Sequence, residues 1–377
     1  MTALSRRGFL GVSTLGLAGC AARRVPLGTA PGVNGAPHLA RVRVAPERVI
    51  RTIVGLRPYR PGGFVVGAQK LDTKTVIHNY GHGGAGITLS WGTAQLAADE
   101  ARSTGAGARE CAVLGCGVVG LSTARVLQER GYTPTIYARE MPPATTSNVA
   151  GGLWEPVSLF DLPRVTPAFR RQFAEAARIA FRRYQSLAGE QYAVRWRALY
   201  SLGTEHAHTA PSADNPMSDV ESLYPEARQL QTGEHPFDVP FAYRRQTMVI
   251  EPAIYLAALI RDFQSAGGKI VIRDFASAAD LMGLKEGLLF NCTGLGARAL
   301  FGDEELTPIR GQLVFLLPQP EVDYCTLGPG GTYMFPRQDG IVLGGSFDRG
   351  EWNLDPDPAI TERILRENGV LFREMKG

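Results

Sequence analysis

Cys111-Ala112-Val113-Leu114-Gly115-Cys116-Gly117-Val118-Val119-Gly120 is the stretch that decides the fold. Its first four residues form a short apolar strand, and Leu121 to Arg130 follow with apolar residues at helical spacing before Gly131 stops the helix. Thr135-Ile136-Tyr137 is the next strand, and it ends in Ala138-Arg139-Glu140. Strand, glycine turn, helix, strand and acid in this order are the context in which GxGxxG predicts a Rossmann-type dinucleotide site. Gly115, Gly117 and Gly120 let backbone approach a pyrophosphate. The N–H groups at the helix start, from Val118 on, point the positive end of the helix dipole at it. Glu140 stands about 25 positions beyond Gly115, near the place of a carboxylate that accepts from a ribose hydroxyl. The motif by itself suits NAD and FAD equally.

Outward from this motif, the 377 residues suffice for one large α/β domain or two intimately joined ones. Hydrophobic residues make up 44% and charged residues 20%, an ordinary balance for a chain with a buried core. The net charge of +4 includes Arg6 and Arg7, and no basic stripe of the kind that binds nucleic acid is present. Ser5-Arg6-Arg7-Gly8-Phe9-Leu10 matches the twin-arginine export pattern, and the apolar run Phe9 to Ala18 is too short to span a bilayer. Leu17-Ala18-Gly19-Cys20 reads as a lipobox that would lipidate Cys20 and tether the protein, outside the cytoplasm, to a bacterial membrane. The plainer reading is a cleaved signal with an incidental cysteine. Arg23 to Leu39, rich in Pro, Gly and Ala, reads as a tether. Cys111, Cys116, Cys292 and Cys325 have apolar or glycine-rich flanks and no CxxC spacing. They read as small buried residues, and no metal site is expected.

Thr145-Thr146-Ser147-Asn148-Val149-Ala150-Gly151-Gly152-Leu153-Trp154-Glu155-Pro156 narrows the choice of cofactor. The run closely resembles the second flavin motif of D-amino-acid oxidases, in which hydroxyls and glycines wrap the diphosphate and isoalloxazine. Thr145, Thr146 and Ser147 supply the hydroxyls here, with Gly151 and Gly152 against a flat ring. Val76-Ile77-His78-Asn79-Tyr80-Gly81-His82-Gly83-Gly84-Ala85-Gly86-Ile87-Thr88 resembles the signature that this family carries near its C-terminus. The resemblance implies that main-chain N–H groups of Gly83, Gly84, Ala85, Gly86, Ile87 and Thr88 face the flavin near its C2 carbonyl. The glycines account for that segment better than a catalytic or metal-binding role for His78 and His82. Val54-Gly55-Leu56-Arg57-Pro58-Tyr59-Arg60 resembles the family's arginine motif, with Arg57 matching the clamp on the substrate carboxylate and Arg60 in support. Tyr333, in Tyr333-Met334-Phe335-Pro336-Arg337, matches the tyrosine that donates to the same carboxylate. Phe275 falls where backbone meets the adenine side, and Phe347 where some fungal members place a second tyrosine. Glu155 replaces a frequent glutamine, and is expected to repel acidic side chains or attract basic ones.

The order of these pieces departs from the family, which opens with the dinucleotide glycines and closes with the arginine and HNYGHGG motifs. Here 1–40 is signal and tether, 41–102 the segment that usually closes the chain, 103–109 a small-residue linker, and 110–377 the fingerprint with the substrate domain. That is a circular permutation, which preserves a fold when the old termini lie close together. A splice that no longer assembles is the alternative. The fold expected is α/β, a Rossmann-type FAD-binding domain with a mixed-sheet substrate domain, each built from discontinuous segments. The resemblance implies oxidation of a D-amino acid: Arg57 and Tyr333 hold the carboxylate, the carbonyl of Gly84 accepts from the amine, and hydride passes from Cα to flavin N5. Oxygen then takes the electrons as hydrogen peroxide, and the imino acid hydrolyses to a 2-oxo acid and ammonia. D-Aspartate oxidase and a flavin-binding lipoprotein without turnover are the rival readings. Dimers occur in the family, but no pairing surface is legible.

Overall fold

A computed structural model describes residues 38–105, 107–203 and 212–376. The twin-arginine pattern, Cys20 and most of the tether lie outside the described residues. The first segment gives β1 (Val49–Tyr59), β2 (Val65–Leu71), β3 (Lys74–Tyr80) and α1 (Gly86–Ser103). The fingerprint follows as β4 (Glu110–Leu114), α2 (Val118–Glu129) and β5 (Thr133–Ala138), matching the strand–glycine–helix–strand reading. Then come α3 (Pro167–Ser186), β6 (Val194–Gly203), β7 (Arg228–Leu230), β8 (Phe241–Ile250), α4 (Pro252–Ser265), β9 (Lys269–Ile272) and α5 (Ala278–Leu281). The chain continues through β10 (Leu288–Asn291), α6 (Gly296–Phe301), β11 (Thr307–Leu316), β12 (Tyr324–Leu327), β13 (Tyr333–Arg337) and β14 (Gly340–Gly344). It closes with β15 (Asp348–Arg349) and α7 (Pro358–Arg373).

Two mixed sheets carry the fold. One has the order β2-β3-β10-β4-β5-β9, with five parallel strands and β2 antiparallel at the edge. β3 is buried along its whole length, as a central parallel strand covered on both faces must be. The other sheet runs β1-β11-β14-β13-β12-β6-β8-β7, with β15 added on β11, and all its pairings are antiparallel except β12 with β6. Both sheets belong to one compact unit, Ala36–Gly377.

Helix packing follows from small residues. Ala94, Ala97, Ala98 and Ala101 are buried along α1, and a Cβ on Gly92 would lie 1.9 Å from the Ala176 carbonyl oxygen of α3. Only glycine lets the two helices touch there. α3 starts where the Thr166 hydroxyl accepts from the Phe169 N–H at 3.1 Å, with Pro167 in the first turn.

The ends of the described chain meet. The Tyr324 hydroxyl donates to the Ala40 carbonyl at 2.8 Å and lies 3.7 Å from the Met375 sulfur, and Arg41 donates to the Met375 carbonyl. Val42, Phe372 and Met375 are buried in one cluster. α1 extends through Ser103, so the connection into β4 begins at Thr104 rather than Ser103; Ala106 within it lies outside the described residues.

Candidate active site

The carboxyl ends of the five parallel strands converge. β3 runs into Gly81 and Gly83, β4 into Gly115, β5 into Arg139 and Glu140, β9 into Phe275, and β10 into Thr293; all of these line one cavity of about 2050 Å³. That exceeds the roughly 300–1,000 Å³ of a pocket for a drug-sized ligand, so the space suits a dinucleotide together with a substrate. The strand order reverses at β4, between β5 on one side and β10 and β3 on the other, which is where open α/β sheets bind ligands.

The fingerprint glycines make a cradle that a side chain would fill. Gly115 has φ +106°, and a Cβ there would lie 2.5 Å from the Cys292 carbonyl oxygen. Gly120 does not line the cavity; its missing Cβ would stand 2.0 Å from the Gly115 carbonyl oxygen, so it brings α2 against the turn. Gly117, Val118, Thr145, Thr146 and Ser147 line the cavity, and the Val118 N–H donates to the Ser147 hydroxyl at 2.9 Å. That hydroxyl sits in front of the helix start with its own proton available to an anion. Arg139 and Glu140 are exposed and 3.5 Å apart. Phe275 lines the cavity, its N–H donates to the Asp274 side chain at 3.0 Å, and its ring packs edge-on against Tyr137.

The glycine segment before α1 needs one correction. Gly83, Gly84, Gly86 and Ile87 line the cavity, whereas Ala85 and Thr88 do not. The Gly84 N–H donates to the Ser158 carbonyl at 3.0 Å and the Ala85 N–H to the His82 carbonyl at 2.8 Å, so neither is free for a ligand. Ser158, at φ +54°, turns its carbonyl into the space over Gly83, where a Cβ would come within 2.0 Å of it. The donors left to a ligand are those of the first turn of α1, where helix geometry provides no partner. Thr88 instead ties the neighbouring loop: its hydroxyl donates to the Glu155 carbonyl at 3.1 Å and accepts from the Glu155 N–H at 3.2 Å. His78 uses both ring nitrogens, on Gln69 at 2.7 Å and Asn291 at 3.0 Å. His82 holds Thr93 at 2.9 Å and stacks on Phe64, and burial pulls its pKa down to about 3. Both rings are committed to partners within the protein.

Arg57 and Tyr333 meet over a floor without side chains. They project from β1 and β13, separated in the sheet by β11 and β14. Built onto Gly311 of β11, a Cβ would lie 2.5 Å from both terminal nitrogens of Arg57. On Gly344 of β14 it would fall 2.0 Å from Cζ of Tyr333 and 2.3 Å from its hydroxyl oxygen. Two glycines at successive strands therefore let both side chains lie flat and approach each other. Arg57 is half-buried, reaches the Ser346 carbonyl at 3.5 Å, and has no carboxylate partner among the described residues. Arg60, by contrast, is paired with Asp303 at 2.9 Å and Glu305 at 2.6 Å. Enclosure pushes the Tyr333 hydroxyl pKa up while Arg57 pulls it back, so the group stays protonated and able to donate at neutral pH.

Gly151 and Gly152 line the wall beside Tyr333 and Phe335; a Cβ on Gly151 would touch the Phe335 ring at 2.9 Å. Phe347 lines the mouth at 50% exposure, and Val157, Trp352 and Leu354 make the same rim apolar. Glu155 also lines the cavity, but its carboxylate is not free as expected: it pairs with Arg245 at 2.9 Å and accepts from the Tyr224 hydroxyl at 3.0 Å. No motif in the sequence points to Arg245, while Gly311 and Gly344 fall in runs that also resemble the family, without a role of their own. The Arg310-Gly311-Gln312 and Leu343-Gly344-Gly345 runs carried the only local hint, and nothing in them says what lies above each glycine.

A family model described as FAD dependent oxidoreductase (DAO) matches residues 36–100 and 110–374. A D-amino-acid oxidase of Rubrobacter xylanophilus is 32% identical over 269 residues, covering 70% of this chain and 78% of the relative. A human D-aspartate oxidase is 31% identical, covering 71% and 76%. Among solved structures, glycine oxidase from Geobacillus kaustophilus aligns with a TM-score of 0.53 at 15% identity, over 71% of this chain and 79% of that one, a likeness of fold.

Proposed function

Because the chain belongs to the DAO family of FAD-dependent oxidoreductases, with FAD as its cofactor, we propose that it oxidises D-amino acids to 2-oxo acids, ammonia and hydrogen peroxide. The observation that carries this reading is Arg57: a guanidinium facing the cavity beside a protonated Tyr333, with no counter-ion among the described residues. Such a group is suited to a substrate carboxylate, which it can hold through two parallel hydrogen bonds while the tyrosine donates a third. The Gly84 carbonyl, beside the cavity and in a backbone fixed by Ser158, is assigned to the substrate amine. Bound FAD supplies the two-electron acceptor. The residues of this chain supply orientation and exclude water from the reacting carbon, and no side-chain base is assigned.

The permuted order is part of the proposal. The family model matches in two segments that part at the α1–β4 connection, and the opposite ends, Ala40 and Met375, share the Tyr324 hydroxyl. Both observations support closure of the old termini through the α1–β4 connection, with the new ends left side by side where the family's chain would run on. Export by the twin-arginine route and lipidation at Cys20 rest on the N-terminal sequence alone. The test is peroxide release from the FAD-supplemented protein against paired D- and L-amino acids. Peroxide from the D-series alone is expected, with a fall of about 30- to 5,000-fold in Arg57→Ala, the equivalent of roughly 2–5 kcal/mol for truncating a charged partner. Turnover of the L-series, or an unaffected Arg57→Ala, overturns the assignment.

A further inference from the structure

A second cation, Arg245 of β8, lies against the cavity-lining Glu155. Glu155 is held rigidly, its backbone bonded on both sides to Thr88, while the preceding Trp154 pairs through its N–H with Met248 and through its carbonyl with Thr247, both of β8. Its side chain is 6% exposed, and one oxygen, Oε2, takes both the Arg245 guanidinium and the Tyr224 hydroxyl. Arg245 stacks over the Tyr224 ring at 4.3 Å, its Nε is buried without an acceptor, and Glu155 is its one ion-pair partner among the described residues. Tyr243, the neighbouring polar group on β8, is committed through its hydroxyl to Glu221 at 3.1 Å. Among the described residues the charge of Arg245 is therefore balanced by a single carboxylate, which lines the cavity where Arg245 does not.

We propose that Glu155 masks Arg245 and that this pair sets substrate charge: the masked site takes neutral side chains, and an unmasked Arg245 takes a second carboxylate. The inference rests on the D-amino-acid oxidase reading, with Arg57 holding the first carboxylate. A carboxylate side chain entering the native site finds no free cation there, because the charge of Arg245 is already balanced by Glu155. Removing the negative charge alone leaves an uncompensated buried guanidinium one side chain from the cavity, where low dielectric makes its attraction strong. Removing the cation alone leaves Glu155 as the uncompensated group, and selection turns toward ammonium side chains.

The test uses the full, FAD-supplied protein and Glu155→Gln, Arg245→Met and the double variant, with ligands that need no turnover. Calorimetric binding of succinate against butyrate reads the second carboxylate, and 5-aminopentanoate against pentanoate reads the opposite charge. In parallel, kcat/KM for D-aspartate is compared with that for D-alanine. Native protein is expected to prefer butyrate. Glu155→Gln should raise the succinate-to-butyrate affinity ratio, and the D-aspartate-to-D-alanine ratio, by about tenfold or more, and the added Arg245→Met should cancel the rise. Arg245→Met alone, which tests the pair even if Glu155→Gln does not fold, should favour 5-aminopentanoate. Unchanged ratios in a folded Glu155→Gln or Arg245→Met, or a rise that survives in the double variant, overturn the masking. Binding of butyrate without peroxide from any D-amino acid would instead refute the oxidase reading and leave the charge ratios to judge the pair.

Discussion

The glycine floor can be tested by one methyl group. Gly344→Ala places a Cβ at 2.0 Å from Cζ, 2.2 Å from Cε2 and 2.3 Å from the hydroxyl oxygen of Tyr333. Ordinary carbon contacts need about 3.5–4.0 Å, so the phenol has to retreat by roughly 1.5 Å. Gly344 is not in the left-handed region, so alanine meets no backbone obstacle and the strain comes from the ring above it. A donor displaced that far from a carboxylate held by Arg57 passes beyond the ~3.0 Å range of an O–H···O bond. Loss of a hydrogen bond to a charged group costs about 1.5–3 kcal/mol, which corresponds to roughly 10- to 150-fold in kcat/KM. The assay is peroxide release with a neutral D-amino acid at saturating FAD, alongside FAD affinity, which should hold because the fingerprint cradle lies in the other sheet. A double-mutant cycle makes the cause specific: with Tyr333→Ala already in place, Gly344→Ala should cost almost nothing further. A loss below twofold in Gly344→Ala, or the same loss with and without the tyrosine, would refute the argument that the glycine positions that ring.

Four further outcomes can be measured, three of them drawn from the structure and the last from the N-terminal sequence alone. Gly120→Ala drives a Cβ to within 2.0 Å of the Gly115 carbonyl oxygen, and should weaken FAD retention and lower stability by about 1–3 kcal/mol, read by FAD release and denaturant unfolding. The folded pKa of His82 is about 3, below its unfolded value, so its contribution is intact above about pH 6.5 and declines toward pH 3 by up to roughly 1.4 kcal/mol per pH unit. His82→Gln should flatten that part of the stability profile by about one proton. A chain reordered to begin at Glu110, with Lys376 joined through a short link to the residue before Ala40 and the new end after Ser103, should keep FAD and peroxide release. A colourless, unfolded product would count against the permutation. Cys20→Ser should move the protein from the bacterial membrane fraction to a soluble extracytoplasmic one, and Arg6→Lys with Arg7→Lys should hold it in the cytoplasm; an unchanged distribution counts against the signal reading.

What the sequence made legible depends on how far a feature reaches along the chain. The fingerprint was readable because its parts are neighbours: β4, the turn and α2 occupy Glu110–Leu114 and Val118–Glu129, and the left-handed Gly115 is a local demand. Arg57 and Tyr333 could be singled out only through likeness to a family, since the order of β1, β11, β14 and β13 that brings them together is a property of the finished sheet. The misreadings have the same origin. The Gly84 N–H is taken by Ser158, and Glu155 is neutralised by Arg245, and neither partner is near in sequence. A motif states which groups the backbone can offer; tertiary neighbours decide which remain on offer. The same logic bears on the permuted order proposed above. The wall of the site is a row of strand ends, and what places β3 beside β10 is a parallel ladder from Leu288–Thr75 to Asn291–His78. That ladder, with the buried apolar side chains of β3 beneath it, is indifferent to which strand the chain reaches first.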